Sequence, residues 1–229
     1  METKGFTLDE VVPWGRSLAE YRAMFALGPA ELESSILGCG DGPASFNVEL
    51  RRQGGQVVSV DPLYRFSTGQ IRKRIKTTCG KILRQVQQNR DSFVWNHFQN
   101  PEELARQRLQ TMNMFLADFA SAPSHYLAGA LPDLPLAADS FDLGLCSHFL
   151  LLYSDHFSFD FHLQSVQELL RVAREVRIFP LVTLQGTVSP HLPSLVRALR
   201  QRGCTASVRK VSYEFQRGGN EMVVIRRRK

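Results

Sequence analysis

The sequence has 229 residues, 43% apolar and 22% charged, with a net charge of +6. That composition suits one folded domain over residues 1–229 and excludes wholesale disorder. Apolar runs such as "FLLLY" are far too short to cross a bilayer, so no membrane partner is expected.

The opening "METKGFTLDEVV" carries acids and lacks a continuous apolar core, unlike a signal peptide. Four scattered cysteines, Cys39, Cys79, Cys146 and Cys204, form no CxxC pair and are expected to be reduced and buried. These features predict a soluble, cytoplasmic protein. Its basic balance suits a solvated Lys/Arg surface or an anionic partner.

Residues 1–30 are expected to form an N-terminal helical cap. In "VPWGRSLAEYRAMFAL" a helix would dock through Leu18, Tyr21 and Phe25, with Trp14 and Arg16 beside it. The apolar pair Ile36-Leu37 then runs into the glycines of "LGCGDG". "ASFNVELRRQG" has apolar Phe46, Val48 and Leu50, a basic end and a glycine stop, as a helix with a C-cap would. A β-rich run, Val57 to Val60, ends in Asp61-Pro62. Strand, glycine turn, helix, strand and acid make a βαβ unit of a doubly wound sheet, in which ligands sit at the carboxyl ends of strands.

Between Asp61 and a strand near Tyr126–Leu127 lie more than sixty residues, about twice what a crossover needs. "QIRKRIKTTCGKILRQVQQNR" places Ile71, Ile75, Ile82, Leu83 and Val86 at helical spacing. "PEELARQRLQTMNMFLADF" opens a second helix with Pro101 and two glutamates. Residues 66–120 are therefore expected to be a basic helical insertion after the second strand. From Phe66 to Phe115 it holds nine Lys and Arg against three Asp and Glu.

Later elements are a strand at Leu143–Ser147, a helix in "DFHLQSVQELLRVAREV", a strand in "VRIFPLVTL" and a helix in "SPHLPSLVRALRQRGC". Two β-rich runs joined at "RGGN" end the chain and predict an antiparallel hairpin. The expected fold class is α/β: a mainly parallel, doubly wound sheet closed by that hairpin and carrying the insertion.

The glycines discriminate among cofactors. A nicotinamide fingerprint needs a third glycine where Pro43 stands, and a P-loop needs a lysine that Ala44-Ser45 does not supply. The pattern G-x-G-x-G, opening a helix and followed by an acid after the next strand, resembles class I, Rossmann-like S-adenosylmethionine-dependent methyltransferases. "LPDLPLAADSFDLGLCSH" is similar to that family's segment from adenine loop to fourth strand, so the likeness runs from about Ile36 to Pro180.

The resemblance implies S-adenosylmethionine as cofactor. It would lie on Gly38, Cys39, Gly40, Gly42 and Ser147, with its ribose on Asp61 beside Pro62 and its adenine on backbone around Ala130–Leu131. Arg16 would pair with the methionyl carboxylate. The chain departs from the family at Ile36 and near Ala130, where acids are common.

Chemistry is expected at "CSHFLLLYSDHFSFDFH". His148 suits a general base for an oxygen or nitrogen acceptor, and Tyr153 or Asp155 would orient that acceptor. The structural reading of the same residues is capping and packing. His156, Asp160 and His162 show no metal-binding spacing, so no metal is expected. Cys146 has nothing nearby to make it a nucleophile.

Three functions follow: methyl transfer to a small molecule, methyl transfer to RNA through Arg72, Lys73, Arg74 and Lys76, or cofactor or partner binding without turnover. RNA would need stacking aromatics; Phe93, Trp95 and Phe98 are clustered as a core group would be. Oligomeric state is not legible.

Overall fold

The computed structural model describes residues 14–228; the opening segment and the first part of the expected cap lie outside the described residues. Seven strands form one sheet: β1 (Ser35–Cys39), β2 (Gln56–Val60), β3 (Tyr126–Leu127), β4 (Phe141–Ser147), β5 (Ala173–Phe179), β6 (Cys204–Lys210) and β7 (Glu221–Arg227). Their spatial order is β3-β2-β1-β4-β5-β7-β6. β1 through β5 pair in parallel, while β7 pairs antiparallel with both β5 and β6. The order reverses beside β1, which opens a crevice at the carboxyl ends of β1 and β4.

Helices cover both faces, so the central strands are apolar without alternation: Ile36, Leu37, Leu145, Cys146, Val176 and Ile178 are all buried. On one face lie α6 (Phe159–Val172) and α7 (Leu192–Gln201), with Val166, Leu169, Leu195 and Leu199 turned inward. The other face carries α1 (Leu18–Phe25) and α3 (Phe46–Arg52), through Tyr21, Phe25, Phe46 and Leu50. A short α2 (Pro29–Glu33) leads into β1.

The insertion consists of α4 (Thr68–Gln88) and α5 (Pro101–Ser121), each 21 residues long. A capping box of Ser67 and Gln70 starts α4, and Asn100 with Pro101 starts α5. Ile71 and Ile75 close on Met112, Phe115 and Leu116, forming a core of their own near Tyr64 and Tyr126. Ile82 and Val86 instead join Phe93, Phe98 and Leu104 in a cluster that also takes Leu152, Tyr153 and Leu184. The far half of the insertion thus packs against the edge beyond β4.

Two boundaries differ from the sequence reading. β5 stops at Phe179, because Pro180 has no N–H for the ladder; the residues after it bend away, and Leu184 N–H donates to Leu152 O at 3.1 Å. β6 and β7 pair as expected, and a turn closed by Gly219 N–H to Gln216 O at 2.8 Å lies at "RGGN", but it sits inside a longer connection, residues 211–220. That connection reaches the insertion: Val94 N–H donates to Phe215 O at 2.7 Å, and Arg217 N–H to Ser92 O at 2.9 Å. Phe215 stacks on Phe93 with ring centroids 4.8 Å apart.

One ion pair binds these parts together. Arg108, on α5 and 1% exposed, donates from its two terminal nitrogens to Glu20 of α1 at 2.5 and 2.6 Å. Tyr213, from the β6–β7 connection, donates to the same carboxylate at 2.9 Å. Burial alone would raise the Glu20 pKa, yet the charge and hydrogen bonds of Arg108 hold it at about 2.

Arg108→Ala would leave a buried, unpaired carboxylate, so urea unfolding should show a loss of about 3–5 kcal/mol. Since the Glu20 pKa lies below its ordinary 4.5, the unfolded chain takes up the proton first. Stability present above about pH 4.5 should fall as pH drops toward 2, and Glu20→Gln should remove that component.

Candidate functional site

The glycine loop after β1 has several tasks. Gly40 and Gly42 take φ values of +73° and +54°, which side chains rarely adopt. A Cβ at Gly40 would press on Phe149 at 3.2 Å, whereas at Gly42 it would meet nothing within 4 Å, in the open cleft. Gly38 serves another purpose, since a Cβ there would collide with the Asp41 carboxylate.

Asp41 was not singled out in the sequence, although an acid inside a glycine loop is a signal. It is 6% exposed and accepts hydrogen bonds from Tyr21 Oη and Ser59 Oγ, each at 2.6 Å. Burial raises its pKa to about 7, against the effect of those two bonds.

The N-terminus of α3, where a dinucleotide's pyrophosphate would sit, is already engaged. Ser45 and Phe46 N–H both donate to Arg16 O, at 3.1 and 3.3 Å. Gly15 makes this crossing possible: a Cβ there would collide with the Pro43 carbonyl. The chain before α1 therefore lies across the loop as its lid.

Beneath it, a cleft of about 320 Å³ opens at the carboxyl ends of β1, β2 and β4. Of the residues expected at a cofactor, Arg16, Gly40, Gly42, Asp61, Pro62 and Ser147 line it, as does His148. Gly38, Cys39 and Leu131 do not: Gly38 makes room for Asp41, and Cys39 and Leu131 face the core under the sheet. The cleft adds Trp14, Tyr21, Asp41 and Leu63, along with Arg65 and Arg74 from the start of the insertion.

Asp61 accepts Gly42 N–H at 2.9 Å on one oxygen and Leu63 N–H at 2.7 Å on the other. Burial raises its pKa, and the two N–H donors oppose that. Each oxygen keeps a second lone-pair direction for a hydroxyl. Arg16 Nη1 donates to Trp14 O at 3.0 Å, while its Nε is buried with no hydrogen-bond partner. An orphaned guanidinium nitrogen, an open glycine face and a partly satisfied carboxylate fit a ligand carrying both a carboxylate and a ribose.

His148 follows β4 with φ +52°, a strained conformation for a non-glycine residue. Its N–H donates to Phe179 O at 2.7 Å, and Nδ1 lies 3.0 Å from Ser147 Oγ. Burial, then the charges of Arg16 and Arg108, put its pKa well below the usual 6.5, so the ring is neutral.

A second cavity, of about 90 Å³, shares Trp14, Arg16 and His148 with the cleft. Tyr153 lines it and is buried, whereas Asp155 is exposed and lines neither cavity. His162 places Nε2 2.9 Å from Leu150 O and Nδ1 2.8 Å from Ser158 O, both backbone carbonyls that can only accept. Burial raises the thiol of Cys146 to about 12. Among the described residues no helix is long and apolar enough to cross a membrane.

No protein-family model matches the sequence. The uncharacterized protein MJ0045 of Methanocaldococcus jannaschii is 32% identical over 223 residues, which cover 96% of this chain and 98% of the relative. Among solved structures, the mitomycin 7-O-methyltransferase MmcR superposes with a TM-score of 0.50 at 12% identity; the match covers 92% of this chain but only 54% of MmcR. The magnesium protoporphyrin IX methyltransferase of Synechocystis PCC 6803, solved with bound S-adenosylmethionine, gives 0.48 at 12% identity, covering 92% and 78%. The chain belongs to one family with MJ0045 of M. jannaschii, built on the class I, Rossmann-like fold of S-adenosylmethionine-dependent methyltransferases.

Proposed function

We propose that the protein is an S-adenosylmethionine-dependent methyltransferase that modifies an oxygen or nitrogen of a small-molecule acceptor. The observation that carries this reading is the cleft at the carboxyl ends of β1, β2 and β4, combined with an α3 N-terminus closed to phosphate by Arg16 O. When bound, the cofactor supplies an electrophilic methyl on sulfonium: the acceptor's lone pair forms the new bond to carbon, and the broken C–S pair stays on sulfur.

In this reading Asp61 accepts ribose hydroxyls, and the unpartnered side of Arg16 holds the methionyl carboxylate. Asp41 is the acid nearest the loop that lines the cleft, and it suits the cofactor's ammonium. His148 takes the acceptor's proton; with Ser147 Oγ accepting from Nδ1–H, the other ring nitrogen is free to act as base. Its depressed pKa keeps that nitrogen unprotonated at neutral pH. The aromatics that an RNA site would need are occupied in packing: Phe93 and Phe98 close on Phe215, and Trp95 Nε1 donates to Arg90 O at 3.1 Å.

Calorimetric titration should show binding of S-adenosylmethionine and its demethylated product, with NADH silent. Asp61→Ala should weaken both roughly 10–100-fold, the range of a lost charge-assisted hydrogen bond; unchanged affinity removes the ribose assignment. His148→Ala should lower turnover about 10²-fold or more with cofactor affinity retained. Since the His148 pKa is depressed, the wild-type rate should not fall between pH 8 and 6.5 on account of this residue.

A cation beside Asp41 would draw its carboxyl, at about 7 in the free protein, toward the ionised form. Cofactor binding at pH 7 should therefore release a fraction of a proton, read from the dependence of binding heat on buffer ionisation enthalpy. Asp41→Asn should abolish that release.

A further inference from the structure

We infer that the second cavity is the acceptor site and that it takes a single aromatic ring bearing a hydroxyl, not an ammonium compound or a polyanion. This deepens the methyltransferase reading and rests on it. Three observations carry it: the walls, the charge balance and the residues that line both cavities.

The walls are mainly apolar and come from elements far apart in sequence; Gln216 also lines the chamber, its amide nitrogen donating to Thr183 O and Leu184 O at 2.9 and 3.0 Å. Ile82 and Val86 of α4, Phe93 after it, Leu152 beyond β4, Leu184 beyond β5 and Phe215 of the β6–β7 connection enclose the chamber. Trp14 and Tyr153 add two further rings. Aromatic walls favour a planar guest through stacked and edge contacts. An apolar cavity of roughly 150 Å³ holds benzene, so a chamber of about 90 Å³ takes at most one ring, with its substituted end on the side of the cleft whose lining it shares, and no fused or branched body.

Charge excludes the other acceptor classes. No Asp or Glu lines the chamber among the described residues, and its one charged neighbour there is Arg16. An ammonium buried between those walls would lie beside a guanidinium with no counter-charge, which is strongly unfavourable. A phosphorylated or multiply charged body would have to bury its anionic groups among leucine, isoleucine and phenylalanine.

The shared residues fix which end reacts. Trp14, Arg16 and His148 line both cavities, so the ring's hydroxyl reaches the cleft where His148 stands. The positive charges of Arg16 and Arg108 that disfavour protonation of His148 also favour a phenolate over a phenol. The hydroxyl proton passes to the imidazole, the phenolic oxygen forms the bond to the methyl carbon, and the C–S bonding pair stays on the cofactor's sulfur. The proton then leaves His148 for water.

The test uses the full chain with Trp95→Phe, which leaves Trp14 as the sole tryptophan and so a reporter on the shared lining. It is titrated with 4-methylphenol and with benzylamine at pH 7.5, each with and without S-adenosylmethionine, and cofactor affinity is measured calorimetrically on the same samples. The expected result is saturable quenching by 4-methylphenol, none by benzylamine, and formation of 4-methylanisole by mass spectrometry. Val86→Phe should fill the chamber and weaken 4-methylphenol at least tenfold with cofactor affinity unchanged. Ile82→Ala, which enlarges the chamber and does not depend on Val86→Phe folding, should let 2-naphthol bind severalfold more tightly than it binds the parent.

Cofactor binding without 4-methylphenol binding, equal affinity for benzylamine, or indifference to both chamber variants would overturn the acceptor class while leaving the methyl-donor reading in place. Failure of the parent chain to bind S-adenosylmethionine would overturn the reading beneath it.

Discussion

Arg108 and Glu20 meet in the protein's interior, and the upper wall of the site depends on their meeting. Neither charge tolerates burial alone. The helix that brings Glu20 therefore docks only where the insertion presents Arg108, and Tyr213 of the β6–β7 connection completes the carboxylate's partners. Three segments, α1, the insertion and the β6–β7 connection, thus meet at one hydrogen-bonded group. Arg108 also donates to Gly15 O at 3.2 Å, which sets the strand of chain laid across the glycine loop.

From that crossing the ligand chemistry of the loop follows. Backbone at Arg16 caps α3, so the helix terminus that would otherwise attract phosphate is satisfied from within. The side chain of the same residue keeps a buried nitrogen without a partner and lines a cleft that also holds Asp41 and Asp61. The loop thus discourages a pyrophosphate and leaves complementary charges for a ligand with a carboxylate at one end. The three glycines answer to separate constraints: room for Asp41 at Gly38, and left-handed backbone at Gly40 and Gly42.

The insertion's charge is divided by depth. Arg72, Lys73 and Lys76 are exposed, while Arg108 is one of the most deeply buried side chains. Its apolar residues divide as well, one set closing the insertion's own core and the other lining the chamber beside His148. A segment that looks like a basic decoration serves here as structural wall, and its aromatics pack against Phe215 instead of lying open for stacking.

The order of strands and helices, the glycine turn, the acid at Asp61 and the two-helix insertion were all legible in the sequence, because each rests on local periodicity, capping or turn chemistry. So was the gathering of Gly40, Gly42, Pro62 and Ser147, through strand ends that a doubly wound sheet brings to one edge, whereas Arg16, ahead of α1, was expected there only from the family resemblance. The turn at "RGGN" was legible but the length of the β6–β7 connection was not, since its path is set by pairing with Ser92 and Val94, more than a hundred residues away. Asp41, the Arg108–Glu20 pair and the chamber were hidden for the same reason. Each depends on which distant groups share a desolvated space, and burial, which raises one carboxyl, pairs another and empties a cavity between six segments, exists only once the chain has closed.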